Sequence, residues 1–288
     1  MTERIWLKSY PAGIPADIDI KGYESVLDFF DETIRKYTDK PAFSNFGKHL
    51  SFRSLDEMSL AFASYLQKLG GLKPGDRVAI MMPNLLQYPV VLFGILRAGM
   101  TVVNINPLFT ARELESQLKD SGAKAIIVLE NFAATLQKVI DKTSIQHVIT
   151  SQIGDMLATP KRWLINFAVK HIRKMVPHWR LAAATPLRQA LALGKGTPPK
   201  PVKVTHDDIA FLQYTGGTTG ISKGAMLTHA NLLANLEQIN QWISGSFREA
   251  REIVISPLPM YHIFCLTSTL GFMKWGSLNV LITNPRDL

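Results

Sequence analysis

Tyr214-Thr215-Gly216-Gly217-Thr218-Thr219-Gly220-Ile221-Ser222-Lys223-Gly224 is the stretch on which the reading of this chain turns. It follows an apolar strand pattern, Ile209 to Tyr214. It precedes a short apolar stretch and then a helix over Asn231 to Ile243, with Leu232, Leu233, Leu236 and Ile239 on one face. Glycines let successive backbone amides converge on one point and form a concavity for an anion. Thr215, Thr218 and Thr219 add hydroxyl donors, a hydroxyl also ligates Mg2+, and Lys223 adds a compact positive charge. Hydrogen bonds to charged groups are worth about 1.5–3 kcal/mol each, so a handful holds a polyphosphate. The pattern is not a Walker A loop, because Gly224 follows Lys223 where that motif needs Ser or Thr. The G-x-G-x-x-G spacing of a dinucleotide site is also absent. A plain surface turn is the bland alternative. Three threonines, four glycines and a lysine between two buried segments argue against it.

Working outward, helix and strand patterns alternate. Ser25 to Tyr37 reads as helix, and Pro41 to Ser51 as a hairpin turning at Asn45-Phe46-Gly47. Ser54 and Glu57 have capping-box spacing, predicting a helix that opens there and ends at Gly70-Gly71. Arg77 to Met82 is an apolar strand, Leu85 to Ala98 a helix with Gly99 as its C′ residue, and Thr101 to Ile105 a β-branched strand. Thr110 and Glu113 form a second capping box, for a helix ending near Ser121-Gly122. Ala125 to Leu129 (strand), Phe132 to Ile140 (helix) and Ile145 to Thr150 (strand) complete the series. Continuous apolar strands separated by helices predict an α/β fold whose mostly parallel sheet is covered on both faces. Residues 1–150 are read as a first α/β subdomain, 151–204 as a basic insertion or connector, and 205–288 as the start of a second α/β subdomain carrying the phosphate loop.

Within the connector, Lys161 to Arg180 contains Lys161, Arg162, Lys170, Arg173, Lys174 and Arg180 and no acidic residue. Trp163, Leu164, Phe167, Ala168, Ile172, Met175 and Val176 recur near helical spacing. Two readings stand side by side: a basic amphipathic helix lying on an anionic membrane surface, and a helix packed on the domain with a solvated basic face. Over the whole chain of 288 residues, 32 Lys and Arg against 23 Asp and Glu give a formal charge of +9. Such an excess suits nucleic acid, anionic lipid or phosphorylated small molecules. No nucleic-acid motif accompanies it, so nucleic acid is not expected as a partner. The single cysteine, Cys265, excludes a disulfide within the chain and a cysteine-based zinc site, and reads as a small buried hydrophobe. No signal-peptide pattern opens the chain, and no apolar run is long enough to span a bilayer.

The 214–224 string resembles the signature loop of the acyl-adenylate-forming (AMP-binding) superfamily, with Ser222 where many relatives have Pro. Leu50-Ser51-Phe52-Arg53-Ser54-Leu55, Leu96-Arg97-Ala98-Gly99 through Asn106-Pro107, and Pro257-Leu258-Pro259-Met260-Tyr261-His262 are similar to further motifs of the same superfamily. Tyr10-Pro11 and Met81-Met82-Pro83-Asn84-Leu85-Leu86-Gln87-Tyr88-Pro89 look closest to bacterial long-chain fatty-acid–CoA ligases. The resemblance implies the N-terminal large domain of the adenylate-forming fold, incomplete at its C-terminus, with the C-terminal domain absent and turnover by this stretch alone improbable. It implies ATP, Mg2+ and coenzyme A as cofactors and co-substrate, and a fatty acid as the acid activated. Thr215, Gly216, Gly217, Thr218, Thr219, Gly220 and Lys223 match the phosphate grip, with Thr219 also at the position that helps hold Mg2+. Tyr214 is read either as packing near the nucleotide or as a buried strand-end tyrosine. His262 matches the histidine beside the activated carboxylate and is the catalytic candidate. The remaining histidines, His229 among them, show no metal-ligand spacing. The resemblance further implies a cytoplasmic enzyme peripherally associated with the inner face of the cell membrane, and a homodimer that no residue pattern specifies. Two rival functions remain: a superfamily synthetase for shorter or aromatic acids, and a non-catalytic, membrane-associated lipid-binding fragment.

Overall fold

The computed structural model describes residues 4–20, 22–215 and 222–286. Helix α1 (Val26–Tyr37) is opened by Ser25, whose Oγ accepts from Leu27 and Asp28 while the Asp28 carboxylate reaches back to the Ser25 amide. Strands β1 (Pro41–Asn45) and β2 (Lys48–Ser51) form the expected hairpin, with Phe46 and Gly47 both at positive φ in its turn. Helix α2 (Phe52–Lys68) departs from the sequence expectation. Its cap is Ser51, extended at the end of β2, whose Oγ accepts from the Ser54 amide. The Ser54–Glu57 box therefore does not form. Ser54 already lies in the first turn, and starting at Phe52 lets Phe52, Leu55 and Phe62 all reach the core.

Four strands follow with helices between them: β3 (Arg77–Met81), α3 (Gln87–Arg97), β4 (Thr101–Asn104), α4 (Ala111–Ser121), β5 (Ala125–Leu129), α5 (Glu130–Gln137) and β6 (His147–Ser151). The Thr110–Glu113 box forms at the start of α4, and Gly122 ends that helix in the left-handed conformation only glycine adopts without strain. Helix α5 opens at Glu130, two residues before the expected Phe132, and gives way to a 3-10 turn at Ile140–Lys142. The basic segment folds as α6 (Lys161–Phe167), a π-helical turn Ala168–Ile172, β7 (Thr185–Pro186) and α7 (Leu187–Gly194). Strand β8 (Ile209–Thr215) and β9 (Lys223–Thr228) come next, then α8 (His229–Ile243), β10 (Ile253–Ser256), α9 (Ile263–Lys274) and β11 (Leu278–Leu281). Helix α8 starts two residues before the expected Asn231 because Thr228 caps it, exchanging hydrogen bonds with Asn231.

Two sheets result. One has the order β7-β6-β5-β3-β4-β8-β9, parallel except for the final β8–β9 pair. The other has the order β10-β11-β1-β2, parallel except for β1–β2. Each sheet draws strands from both sides of the 151–204 segment. The continuous apolar runs of β4 and β5 are buried throughout, as strands of a sheet covered on both faces must be. Helices α1, α2 and α3 meet at Arg97, which belongs to the Leu96–Gly99 motif. Its guanidinium pairs with Asp31 and Asp56 at 2.6 Å each, donates to Ser59 Oγ, and lies over the Phe30 ring. No helix among the described residues is long and apolar enough to cross a membrane.

Candidate active site

The C-terminal ends of β4 and β8 open into a cleft of about 710 Å³. In a parallel sheet this edge collects the loops and helix N-termini, which is why ligands favour it. The cleft is walled by the first turns of α4, by Gln213 and Tyr214 of β8, by Ser222, and by Tyr261 and His262. Its floor is a buried relay. Tyr88 Oη donates to Asn104 Oδ1 (2.6 Å), Asn104 Nδ2 to Gln213 Oε1 (3.0 Å), and Gln213 Nε2 to the Tyr261 carbonyl (2.7 Å). Gln117 donates to the Asn104 carbonyl at 2.9 Å, while its Oε1 is buried without a partner among the described residues.

His262 is exposed at the mouth of this cleft, where it occupies the N-cap position of α9. Its loop is held from below by Asn84, in the turn after β3. Asn84 Nδ2 donates to the carbonyls of Ser256 (3.1 Å) and Leu258 (2.8 Å), and its Oδ1 accepts from the Met260 amide (2.8 Å). Tyr88 Oη makes a further contact of 3.2 Å to the Met260 carbonyl. The proline-rich loop is therefore clamped by the very stretch, Met81 to Pro89, that looks family-specific in sequence.

Tyr214 and Thr215 end β8, and Lys223 and Gly224 begin β9. The pairs Tyr214–Gly224 and Thr215–Lys223 are in register, and Ser222 Oγ donates to the Thr215 carbonyl at 2.9 Å. The glycine-rich stretch thus connects two antiparallel strands. Gly216, Gly217, Thr218, Thr219 and Gly220 themselves lie outside the described residues, so the Mg2+ role expected of Thr219 does too. The hydroxyl of Tyr214 is bonded to Asp120, and burial first, then that carboxylate, raise its pKa far above the usual phenol value. A Cβ on Gly224 would stand 2.9 Å from the Tyr214 ring, which explains the glycine after Lys223.

The acidic groups at the cleft are committed elsewhere. Glu113 is taken up by the Thr110 cap, which lowers its pKa, and Asp120 by Tyr214. No group of three His, Cys, Asp or Glu side chains suited to a metal occurs among the described residues.

Asn84, Tyr88, Asn104, Gln117 and Gln213 do not stand out as site residues in the sequence. The available signal is a polar residue at the C-terminal end of an otherwise apolar strand, as at Asn104 in β4 and Gln213 in β8. Cys265 is buried, as expected, and burial raises its thiol pKa. His229 is buried too, and its Nδ1 accepts from the Val26 amide at 3.2 Å.

Residues 30–288 match the family model described as AMP-binding enzyme. The long-chain-fatty-acid–CoA ligase of Escherichia coli O157:H7 is 54% identical over 287 residues, covering 99% of this chain and 51% of that protein. The long-chain-fatty-acid–CoA ligase of Bacillus subtilis (strain 168) is 35% identical over 289 residues, covering 98% and 50%. A crystal structure of a long-chain-fatty-acid-CoA ligase from Archaeoglobus fulgidus superposes with a TM-score of 0.74 at 24% identity, over 96% of this chain and 50% of that one, a likeness of fold. The chain spans about half the length of the curated relatives it matches. With residues 30–288 matched by that family model and relatives of the same kind aligned along the whole chain, the chain belongs to the AMP-binding enzyme family.

Proposed function

We propose that the protein is a long-chain fatty-acid–CoA ligase. The fatty-acid carboxylate attacks the α-phosphate of ATP, giving acyl-AMP and pyrophosphate. The thiol of coenzyme A then displaces AMP and leaves the acyl thioester. The observation that carries the reading is the 54% identity to a long-chain ligase across 99% of the chain. The cleft between β8–β9 and the His262 loop supports it. In this reading Thr215 and Lys223, with Gly216 to Gly220 between them, take the phosphates, Tyr214 walls the nucleotide side, and His262 stands beside the carboxylate. Mg2+ supplies charge neutralisation on the departing pyrophosphate, and Thr219 is the residue proposed to help hold it.

The proposal extends to a cytoplasmic enzyme in peripheral contact with an anionic membrane face through Lys161 to Arg180. Pyrophosphate exchange tests the chemistry, measured on the protein as its gene encodes it. Fatty-acid-dependent exchange is expected, peaking with long chains. Thr219→Ala with Lys223→Ala is expected to reduce it by about 10²–10³ or more, the usual cost of lost transition-state donors. Exchange that peaks with short or aromatic acids, or that survives the double substitution, overturns the assignment.

A further inference from the structure

The 151–188 region carries a face that the proposed chemistry leaves unused. No side chain of α6 or of the π-helical turn after it is buried. Four large apolar residues face outward: Trp163, Leu164, Phe167 and Ile172 are 65%, 66%, 58% and 70% exposed. Ile165, Ala168 and Val169 are half-buried, and hydrogen bonds add to their contacts. Asn166 Oδ1 accepts from the Gly154 amide and its Nδ2 donates to Gln152 Oε1, both at 2.8 Å, and Lys161 Nζ donates to the Phe46 carbonyl at 2.6 Å. A surface helix ordinarily turns its apolar stripe to the core. This one leaves Trp163, Leu164 and Phe167 exposed beside a basic face that is exposed as well, at Lys161, Lys170, Arg173 and Lys174.

Beside α6 runs a groove with Arg162 and Trp163 on one wall and Pro186 and Arg188 on the other. Asp155 at its base is bonded to Ser151 Oγ (3.0 Å) and the Gln152 amide (2.8 Å), and influences Arg188 only through space. Among the described residues neither guanidinium closes an ion pair; Arg162 lies over the Trp163 ring, and Asp155 is the one acidic side chain lining the groove. The groove follows the C-terminal end of β6. In the parallel sheet that is the same edge as the cleft at β4 and β8, and three strand spacings, about 14 Å, separate β6 from β4.

We propose that this groove binds the phosphate of an anionic phospholipid headgroup between Arg162 and Arg188, while Trp163, Leu164 and Phe167 enter the adjoining layer of the bilayer. Guanidinium matches phosphate with paired donors, and tryptophan favours the boundary between headgroups and chains. Bilayer contact then brings the cleft edge to the surface into which a long-chain acid partitions. The inference rests on the proposed peripheral membrane contact and not on the ligase chemistry.

Vesicle flotation tests it, with phosphatidylcholine alone and with phosphatidylglycerol added. Binding is expected only with the anionic lipid. Each basic residue at an anionic surface changes partitioning by about fivefold, so R162Q/R188Q is expected to lose on the order of 30-fold if both contact headgroups. K195Q/R251Q removes the same charge elsewhere and is expected to lose far less. W163S/F167S is expected to stay in solution, with unchanged thermal unfolding showing that the fold is kept. Equal binding to both vesicles, or an R162Q/R188Q variant that binds as K195Q/R251Q does, overturns the headgroup groove. Absence of any vesicle binding overturns the peripheral contact as well, whereas the ligase chemistry stands or falls separately, on pyrophosphate exchange.

Discussion

Replacing Asn84 by alanine tests how the His262 loop is held. The side chain is buried and makes three hydrogen bonds to the backbone of residues 256–260. The Ser256 carbonyl keeps a second partner, the Ile282 amide at 3.2 Å, so its loss is partial. The Leu258 carbonyl and the Met260 amide lose the bonds Asn84 makes to them. At about 1 kcal/mol net for each bond, with a higher cost where a buried group is left unpaired, N84A is expected to destabilise the protein by about 3 kcal/mol. Urea unfolding reads that loss directly. Amide exchange at Met260 reads it locally, because its N–H is the one Asn84 Oδ1 accepts. N84D should not rescue: it keeps an acceptor for Met260 but sets a carboxylate against two carbonyl oxygens. In the exchange assay the same variants should raise the apparent KM for the fatty acid more than that for ATP, since the loop bears His262 and not the phosphate turn. A loss below about 1 kcal/mol, with Met260 still protected, would refute the clamp.

Burial of His229 lowers its pKa from 6.5 to about 4. Above pH 6.5 the ring is neutral folded and unfolded, and no difference arises. As pH falls from 6.5 towards 4 the unfolded chain binds a proton that the folded chain refuses, so up to about 3 kcal/mol of stability is lost across that window. H229Q, measured against the parent by urea unfolding at stepped pH, should flatten the slope there, and an unchanged slope would exclude His229 as its source. G224A forces its Cβ against the Tyr214 ring and should cost about 1–3 kcal/mol in thermal unfolding, together with the Tyr214–Asp120 bond. An unchanged Tm would mean the ring moves freely. R97M removes a guanidinium shared by three helices and leaves Asp31 and Asp56 unpaired. Because Asp31 is well exposed, a loss of about 2 kcal/mol is expected, below that of a fully buried pair, and R97K should recover less than half of it in the same unfolding assay.

The elements legible in the sequence are those specified locally. Glycine at Gly99 and Gly122, the Thr110–Glu113 box, and the β-branched runs of β4 and β5 each carry their signal within a few residues. The start of α2 is misplaced by sequence reasoning because two serines three residues apart, Ser51 and Ser54, both suit a cap. Only the end of β2, which leaves Ser51 extended, decides between them. Sheet order is out of reach for a related reason. β11 returns to lie beside β1 across most of the chain, and nothing local to either strand names its partner. The site divides the same way. The 214–224 string and His262 stand out because their composition is unusual. Asn84 and Gln213 act through carbonyls that lie far away in sequence, at 256–261, and an asparagine after a strand reads as an ordinary turn residue.

That long-range bonding also gives a physical reason for the site to sit where the two sheets meet. The relay runs in one direction, from the Tyr88 hydroxyl through Asn104 and Gln213 to the Tyr261 carbonyl, and each amide has its orientation fixed by the group before it. Its members come from α3, β4 and β8, all buried in the core that the larger sheet shares with its helices. Its last acceptor belongs to the loop between β10 and α9, which the smaller sheet carries. A loop between elements is ordinarily free to adjust to its own strands. This one is bonded to the opposite sheet at Tyr261 and clamped by Asn84 at 256–260, so His262 inherits its position from the larger sheet rather than from its own. Thr215 and Lys223, which flank the proposed phosphate grip, belong to that same sheet, at the end of β8 and the start of β9. Both halves of the proposed chemistry are thus referenced to one frame, which is what holding a carboxylate against a phosphate requires.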